Sequence, residues 1–194
     1  MRTAQEATQV DVRERIIETA SDLFYRRGVR AVGVDVVVEV AGVAKTSLYR
    51  YFRTKDDLIA AFLQREDADF WACWDRVAAR HERDGAAELE AHMTWIGERV
   101  GRPHYRGCPQ INVAAEFPEE DHPARVVARA HKLELRRRLR GIAERLQVDR
   151  PEALGTQLSV LVNGAFVSSQ ILADGDATAV LLQMTRALVA AARG

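Results

Sequence analysis

Residues 42–55 read Gly-Val-Ala-Lys-Thr-Ser-Leu-Tyr-Arg-Tyr-Phe-Arg-Thr-Lys, and this stretch decides the fold. Gly42 suits the position just past a helix end, where a positive φ is needed. Leu48 and Phe52 stand four apart, so they share one helical face and can anchor a short helix to a core. Between Lys45 and Lys55 there are four cations (Lys45, Arg50, Arg53, Lys55) and no acid. Thr46, Ser47, Tyr49 and Tyr51 are interleaved with them. Such a mixture can bond phosphate oxygens and also reach base edges. The pattern is a tight turn, a short helix from Lys45 to about Tyr51, a second turn and the start of a long helix. The bland alternative, a surface helix with a solvated basic face, does not account for the turn, the anchors and the next helix agreeing.

Working outward, Ile16, Ala20, Leu23 and Phe24 form the apolar face of a helix over Asp11–Arg27, which Gly28 ends. Residues 1–10 read as a loose arm, with Arg2 a weak candidate for a minor-groove contact. A second helix covers Val34–Ala41, with Val36, Val37 and Val40 facing the first. Gly33 and Ala44 occupy the cap positions of the second and third helices. Alanine cannot accept a bond from the orphan amides, at a cost of about 1 kcal/mol. Thr54 and Asp57 form a capping box that opens a fourth helix, running to about His81 or Arg83. Leu58, Phe62, Phe70, Cys73, Trp74 and Val77 lie on its stripe, and Trp71 falls off it as an exposed residue.

The rest of the chain continues in helices. Ala86–Val100 turns Leu89, Met93 and Ile96 inward, Pro109–Phe117 is short, and His122-Pro123 opens a helix to about Leu146. That last helix carries Lys132, Arg136, Arg137, Arg138 and Arg140. Glu134 and Glu144 among them favour a solvated face over a second nucleic-acid site. Asp149 and Glu152 frame a capping box around Pro151, before a helix to about Ala173 that is apolar nearly all round, Ile171 and Leu172 included. Gly155, Gly164 and Ser168 permit close helix approach there. Asp176 caps a last helix striped by Val180, Leu181, Met184, Leu188 and Ala191. The fold class is all-α, with about nine helices.

Of 194 residues, 47% are hydrophobic and 29% charged, and the formal net charge is zero. Residues 1–55 hold 10 Lys/Arg against 7 Asp/Glu, net +3, and residues 56–194 hold 18 against 21, net −3. A basic head on an acidic body is the asymmetry expected if only the head meets nucleic acid. No apolar run reaches membrane-spanning length, and the polar start lacks a signal core. No membrane association is therefore expected. Cys73 and Cys108 make neither a metal pattern nor a disulfide framework, so a reducing, cytoplasmic setting is expected. No metal or cofactor is expected. An enzyme reading is poor: Cys108 lies near His104 and His122 in sequence, but no Asn or Asp completes an arrangement. A redox-sensing thiol at Cys108 and a helical interaction module without specific DNA binding remain as alternatives.

The segment AGVAKTSLYRYFRTKDDL, residues 41–58, strongly resembles the DNA-binding signature of the tetracycline-repressor (TetR) family. The likeness extends over roughly residues 11–60. It implies a three-helix helix-turn-helix head at 1–55 and a helical effector-binding and dimerisation body at 56–194. By position in the motif, Tyr49 and Lys55 would touch phosphates, while Lys45, Thr46, Ser47 and Arg50 would face the groove, with Tyr51 beside them. Ala44 departs from the Ser often found there. Asp35 departs from a position that is often basic. The resemblance further implies a homodimer on a palindromic double-stranded operator, most simply as a repressor released by a small-molecule effector. Candidate effector contacts are Phe70, Trp74, Trp95, Tyr105, Cys108, Asn112, Glu116, Phe117, Asn163, Phe166 and Gln170. The last two helices would pair across the dimer through Leu161, Phe166, Val180, Met184 and Leu188.

Overall fold

Helix α1 (Ala4–Arg27) begins earlier than the sequence suggests, because Ala-Gln-Glu-Ala-Thr-Gln-Val contains nothing that breaks a helix. The computed structural model describes residues 4–168 and 176–193, with side chains from residue 12 onward. Arg2, Gln170, Ile171, Leu172 and Ala173 lie outside the described residues. After α1 come α2 (Val34–Ala41), α3 (Lys45–Tyr51), α4 (Lys55–Ala78), α5 (Gly85–Val100), α6 (Pro109–Glu116), α7 (Pro123–Arg145), α8 (Pro151–Ser168) and α9 (Ala177–Ala191). These nine helices are the regular structure among the described residues, and the fold is all-α.

The helices form two compact units. The first holds residues 1–67 and 109–128, the second residues 68–108 and 129–194. The first unit thus takes in the start of α4, all of α6 and the first turns of α7, beyond the 1–55 stretch that carries the motif. Its core is Ile16, Ala20, Leu23 and Phe24 of α1 against Val37, Leu48, Phe52, Leu58 and Phe62. The Phe24 and Phe62 rings lie 5.9 Å apart. Each such Leu or Phe side chain contributes roughly 1.5–3 kcal/mol by leaving water. Gln110 of α6 donates its amide Nε2–H to the Leu63 carbonyl at 2.9 Å, inside this same core.

Along α2 the inward positions are Val34, Val37, Val38 and Ala41, the 3–4 spacing of a helix face. Val40, expected to face α1, is instead 61% exposed, and Val38 takes its place. Gly42 ends α2 with φ +61°, its N–H bonding the Glu39 carbonyl while Val43 N–H bonds Val38. This double closure sets the direction in which the chain enters α3. Thr54 and Asp57 make both bonds of their capping box, each 3.0 Å.

In the second unit, Phe70 and Trp74 of α4, Leu89, Met93 and Ile96 of α5, Leu135 and Leu139 of α7, and Leu158 and Phe166 of α8 are all buried. A Cβ on Gly155 would lie 2.8 Å from Arg140 Cα, so only glycine lets α8 cross α7 this closely. Gly164, also expected at a close approach, meets nothing within 4 Å. The Asp149–Glu152 capping box is not formed in the expected register. Helix α8 starts at Pro151, and the carbonyl at its cap position, accepting from Leu154, is that of Arg150. Asp84, unnoticed in the sequence, caps α5 by accepting from Ala86 and Ala87 N–H at 3.0 Å. Asp176 caps α9 through Ala179 N–H at 3.1 Å. Trp71 is half-buried rather than exposed, because the Arg138 guanidinium covers its ring at 4.4 Å.

Ala44 has the extended backbone of an N-cap, φ −72° and ψ 143°, but no side-chain bond to the helix. Ala44→Ser supplies the missing acceptor in a conformation that already suits it. Urea unfolding followed by circular dichroism should show the variant more stable by about 1 kcal/mol. An unchanged midpoint would mean that the α3 amides are already satisfied.

Candidate functional site

Helix α3 has only seven residues, too few to persist alone, so its placement rests on two side chains. Leu48 is fully buried and Phe52 nearly so, both in the first unit's core. The opposite face therefore stands outward: Lys45, Thr46, Tyr49 and Arg50 are exposed, and Ser47, Tyr51 and Lys55 are half-buried. All seven candidate DNA contacts belong to the first unit, Tyr51 among them packed partly against its core. Arg50 lies along its neighbour, its guanidinium 5.0 Å from the Tyr51 ring centroid and its Nη2 donating to the Tyr51 hydroxyl at 3.1 Å.

Asp35, the acid where a cation is usual, has a partner. Lys45 Nζ lies 2.6 Å from Asp35 Oδ1. The bond to Asp35 and its charge raise the Lys45 pKa above the ordinary lysine value. Both side chains are more than half exposed, so water and salt screen the pair strongly. Its importance is positional, since it holds one cation of the outward face against α2.

The second unit gathers a cluster of rings. Phe70 contacts Trp71, Trp95 and His131 at centroid separations of 4.9, 5.0 and 4.9 Å, and Trp74 and Phe166 at 6.2 and 6.3 Å. His92 stacks on Trp74 at 3.6 Å. Neither His92 ring nitrogen has a hydrogen-bond partner, and Glu88 Oε1, at 3.6 Å, is too far for one. Burial, followed by the charges of His81, Arg138 and Arg145, pulls its pKa down to about 3, so the ring is neutral. Glu88 is buried, with Arg145 as its partner.

Of the expected effector contacts, Phe70, Trp74, Trp95, Cys108, Asn163 and Phe166 belong to this unit, and Tyr105 is half-buried on the loop before α6. Glu116, Asn112 and Phe117 fall in the first unit instead. Glu116 accepts from the Arg30 backbone N–H at 3.3 Å, Asn112 is exposed, and Phe117 stacks on His122 at 3.7 Å. Helix α6 is drawn there by Val113 and Gln110, which the sequence did not distinguish from body residues.

Lys132 is the residue that sequence reasoning passed over. The basic run of α7 is mostly a solvated face: Arg137 and Arg138 hold Glu134, whose pKa falls to about 2, and Arg140 bridges Glu144 and Glu152. Lys132 instead follows the inner stripe of Ala128, Leu135 and Leu139, a spacing visible in the sequence. Its ammonium donates to Asn163 Oδ1 at 2.8 Å and to Cys108 Sγ at 3.4 Å.

Among the proposed dimer contacts, Val180 and Met184 are 50% and 48% exposed, and Leu161 and Leu188 are half-buried. Val160 and Val167, at 67% and 46%, add to the apolar surface of α8. Phe166 is only 2% exposed, because it points into the protomer's own ring cluster and cannot serve a surface contact. No helix among the described residues is long and apolar enough to cross a membrane, and no group of three or more His, Cys, Asp or Glu there could hold a metal.

The family profile of bacterial regulatory proteins, tetR family, matches residues 16–62. A solved structure from Streptomyces avermitilis, assigned as a TetR transcriptional regulator, is 30% identical, with 93% of this chain and 97% of that one covered and a TM-score of 0.81. A TetR-family transcriptional regulator from Streptomyces coelicolor superposes at a TM-score of 0.90, with 25% identity over 95% of this chain and 97% of that one. The chain belongs to the TetR family.

It is a TetR-family transcriptional regulator. Curated relatives match over less than half of this chain. The transcriptional activator FasR of Mycolicibacterium smegmatis is 37% identical over 41% of this chain, and the transcriptional repressor KstR2 of Rhodococcus jostii 29% identical over 47%. The matches span 36% and 45% of those two proteins, less than half of each. One is an activator and the other a repressor, so these likenesses do not fix the sign of regulation.

The Asp35–Lys45 pair yields a test within the TetR reading. Asp35→Asn removes a charge that repels phosphate and frees Lys45. On mixed-sequence duplex DNA, the plot of log affinity against log salt should steepen by about one unit per head, with tighter binding at low salt. Weaker binding would mean that Asp35 positions Lys45 rather than restraining it.

Proposed function

We propose that this TetR-family regulator is a repressor that binds a palindromic operator as a homodimer and is released by a small apolar or aromatic effector. The observation that carries the reading is the two-sided character of α3. Leu48 and Phe52 hold one face inside the first unit, leaving Lys45, Thr46, Tyr49 and Arg50 outward on the other. A helix so held can enter a major groove as a rigid reader. On this reading residues 1–55 are the DNA-binding part and residues 56–194 serve effector binding and dimerisation.

The roles divide by chemistry. Tyr49 and Lys55 contact phosphates, and Lys55 stands at the first position of α4, where free amides favour an anion. Arg50 makes a bidentate contact to guanine, and Thr46 or Ser47 meets a base edge or a thymine methyl. The effector lies at the ring cluster of Phe70, Trp74 and Trp95. It lowers DNA affinity by binding more tightly to a body state that spaces the two heads wrongly. The coupling is of order 1–3 kcal/mol. The redox alternative at Cys108 is less favoured, because its thiol is buried and a sensor thiol needs access.

Operator-variant titrations at several salt concentrations test the DNA roles. Lys55→Ala should weaken binding to every sequence alike and lower the salt slope by about one unit per head. Arg50→Ala should cost about 1–3 kcal/mol per half-site and relax preference at one base position. If both variants bind as the wild type does, α3 is not the reading element.

Dimerisation is placed on the exposed apolar faces of α8 and α9. Val160→Glu with Met184→Glu puts charges on that surface without touching the core. Sedimentation at micromolar concentration should show a dimer for the wild type and a monomer for the double variant. A wild type that sediments as a monomer removes the two-headed reading altogether.

A further inference from the structure

Two cations of the second unit face its rings without a counter-charge. The Lys132 ammonium lies 5.3 Å from the Phe166 ring centroid, and the Arg99 guanidinium 5.9 Å from that of Phe70. The two rings are 6.3 Å apart. Both cations are half-buried, and among the described residues neither is paired with a carboxylate. Arg137, Arg138, Arg140, Arg145 and Arg186, by contrast, each hold a Glu or Asp. The partners of Lys132 are a neutral amide oxygen and a thiol, which satisfy protons but not charge. A cation withdrawn from water gains most from an opposite charge, and ring faces supply only part of that. At the far end of the same row of rings, His92 is fully buried with both nitrogens unpartnered. An apolar row of rings with carboxylate-free cations at one side and the unpartnered His92 at the other is complementary to one kind of molecule.

We propose that the effector is an organic anion, an apolar ring-sized body bearing one acidic head, with the body on Phe70 and Phe166 and the head taken by Lys132 beside Asn163. Arg99 adds positive potential to the same rings. The inference rests on the placement of the effector at the ring cluster, and it specifies the ligand's charge. Lys132 contributes a charge-assisted bond, and Asn163 fixes the ammonium in position.

The test uses two fluorescent probes with the same ring system, the anionic 8-anilinonaphthalene-1-sulfonate and its neutral parent N-phenyl-1-naphthylamine, titrated into the full-length protein. The wild type should bind the sulfonate about tenfold or more tighter than the neutral parent. Lys132→Met should remove that preference and leave the neutral probe within about twofold of its wild-type affinity. Asn163→Asp, which hands the ammonium a carboxylate, should remove the preference as well. The second variant guards against a packing defect at position 132, and thermal melts of both variants report folding. Equal binding of the two probes by the wild type overturns the proposal, as does a sulfonate preference that survives both substitutions. In either case binding of the neutral probe leaves the apolar effector site standing. If neither probe binds the wild type, the anion proposal and the effector site at the rings fail together.

Discussion

A seven-residue helix with alanine at its cap does not persist by itself in water, because nucleation is costly and its first amides lack a side-chain acceptor. Helix α3 exists because Leu48 and Phe52 are buried in the core it shares with α1 and α2, and because the left-handed Gly42 turn aims the chain at that site. Everything proposed for the outward face depends on this anchoring. A reading element must not rearrange its backbone when it meets DNA, and burial of two large side chains provides that stiffness without placing any apolar group on the surface to be read. The weak cap has a physical consequence too: α3 draws its order from tertiary packing and so is coupled to the integrity of the first unit's core.

The second unit obeys a different constraint. Its rings cluster in the interior, and the polar groups beside them are incompletely matched. Most buried polar atoms in proteins find partners, so an unpartnered His92 and two carboxylate-free cations beside the rings mark a place where stability has not been optimised. The contrast with Glu88, buried but held by Arg145, shows that this interior can satisfy a charge when one is present. Sites that take ligands characteristically leave such groups for the ligand to satisfy.

Much of the fold was legible because it rests on local rules. The bounds of α2 and α3, the Thr54–Asp57 capping box and the Asp176 cap follow from residue types at fixed spacing along one helix. Where the reading slipped, two or more positions offered comparable local signals. Val38 and Val40 are chemically the same, and only the angle at which α2 crosses α1 decides which is buried. Pro151 and Asp149 both signal a helix start, and the proline prevailed because its fixed φ belongs at the first helical position.

By itself the sequence determined an all-α chain, the turn at Gly42, the anchors Leu48 and Phe52, and a DNA-binding motif of the TetR type, since each depends on neighbours within a few residues. The tertiary structure alone decided that α6 belongs with the first unit, so that Glu116 meets Arg30 rather than the rings. It decided that Phe166 faces inward, that Asp35 holds Lys45, and that Lys132 leaves a basic run to reach Asn163. The physical reason is common to all four. Helical periodicity says which residues share a face, but which partner that face meets is set by packing between segments distant in sequence, and charge and burial are properties of that meeting.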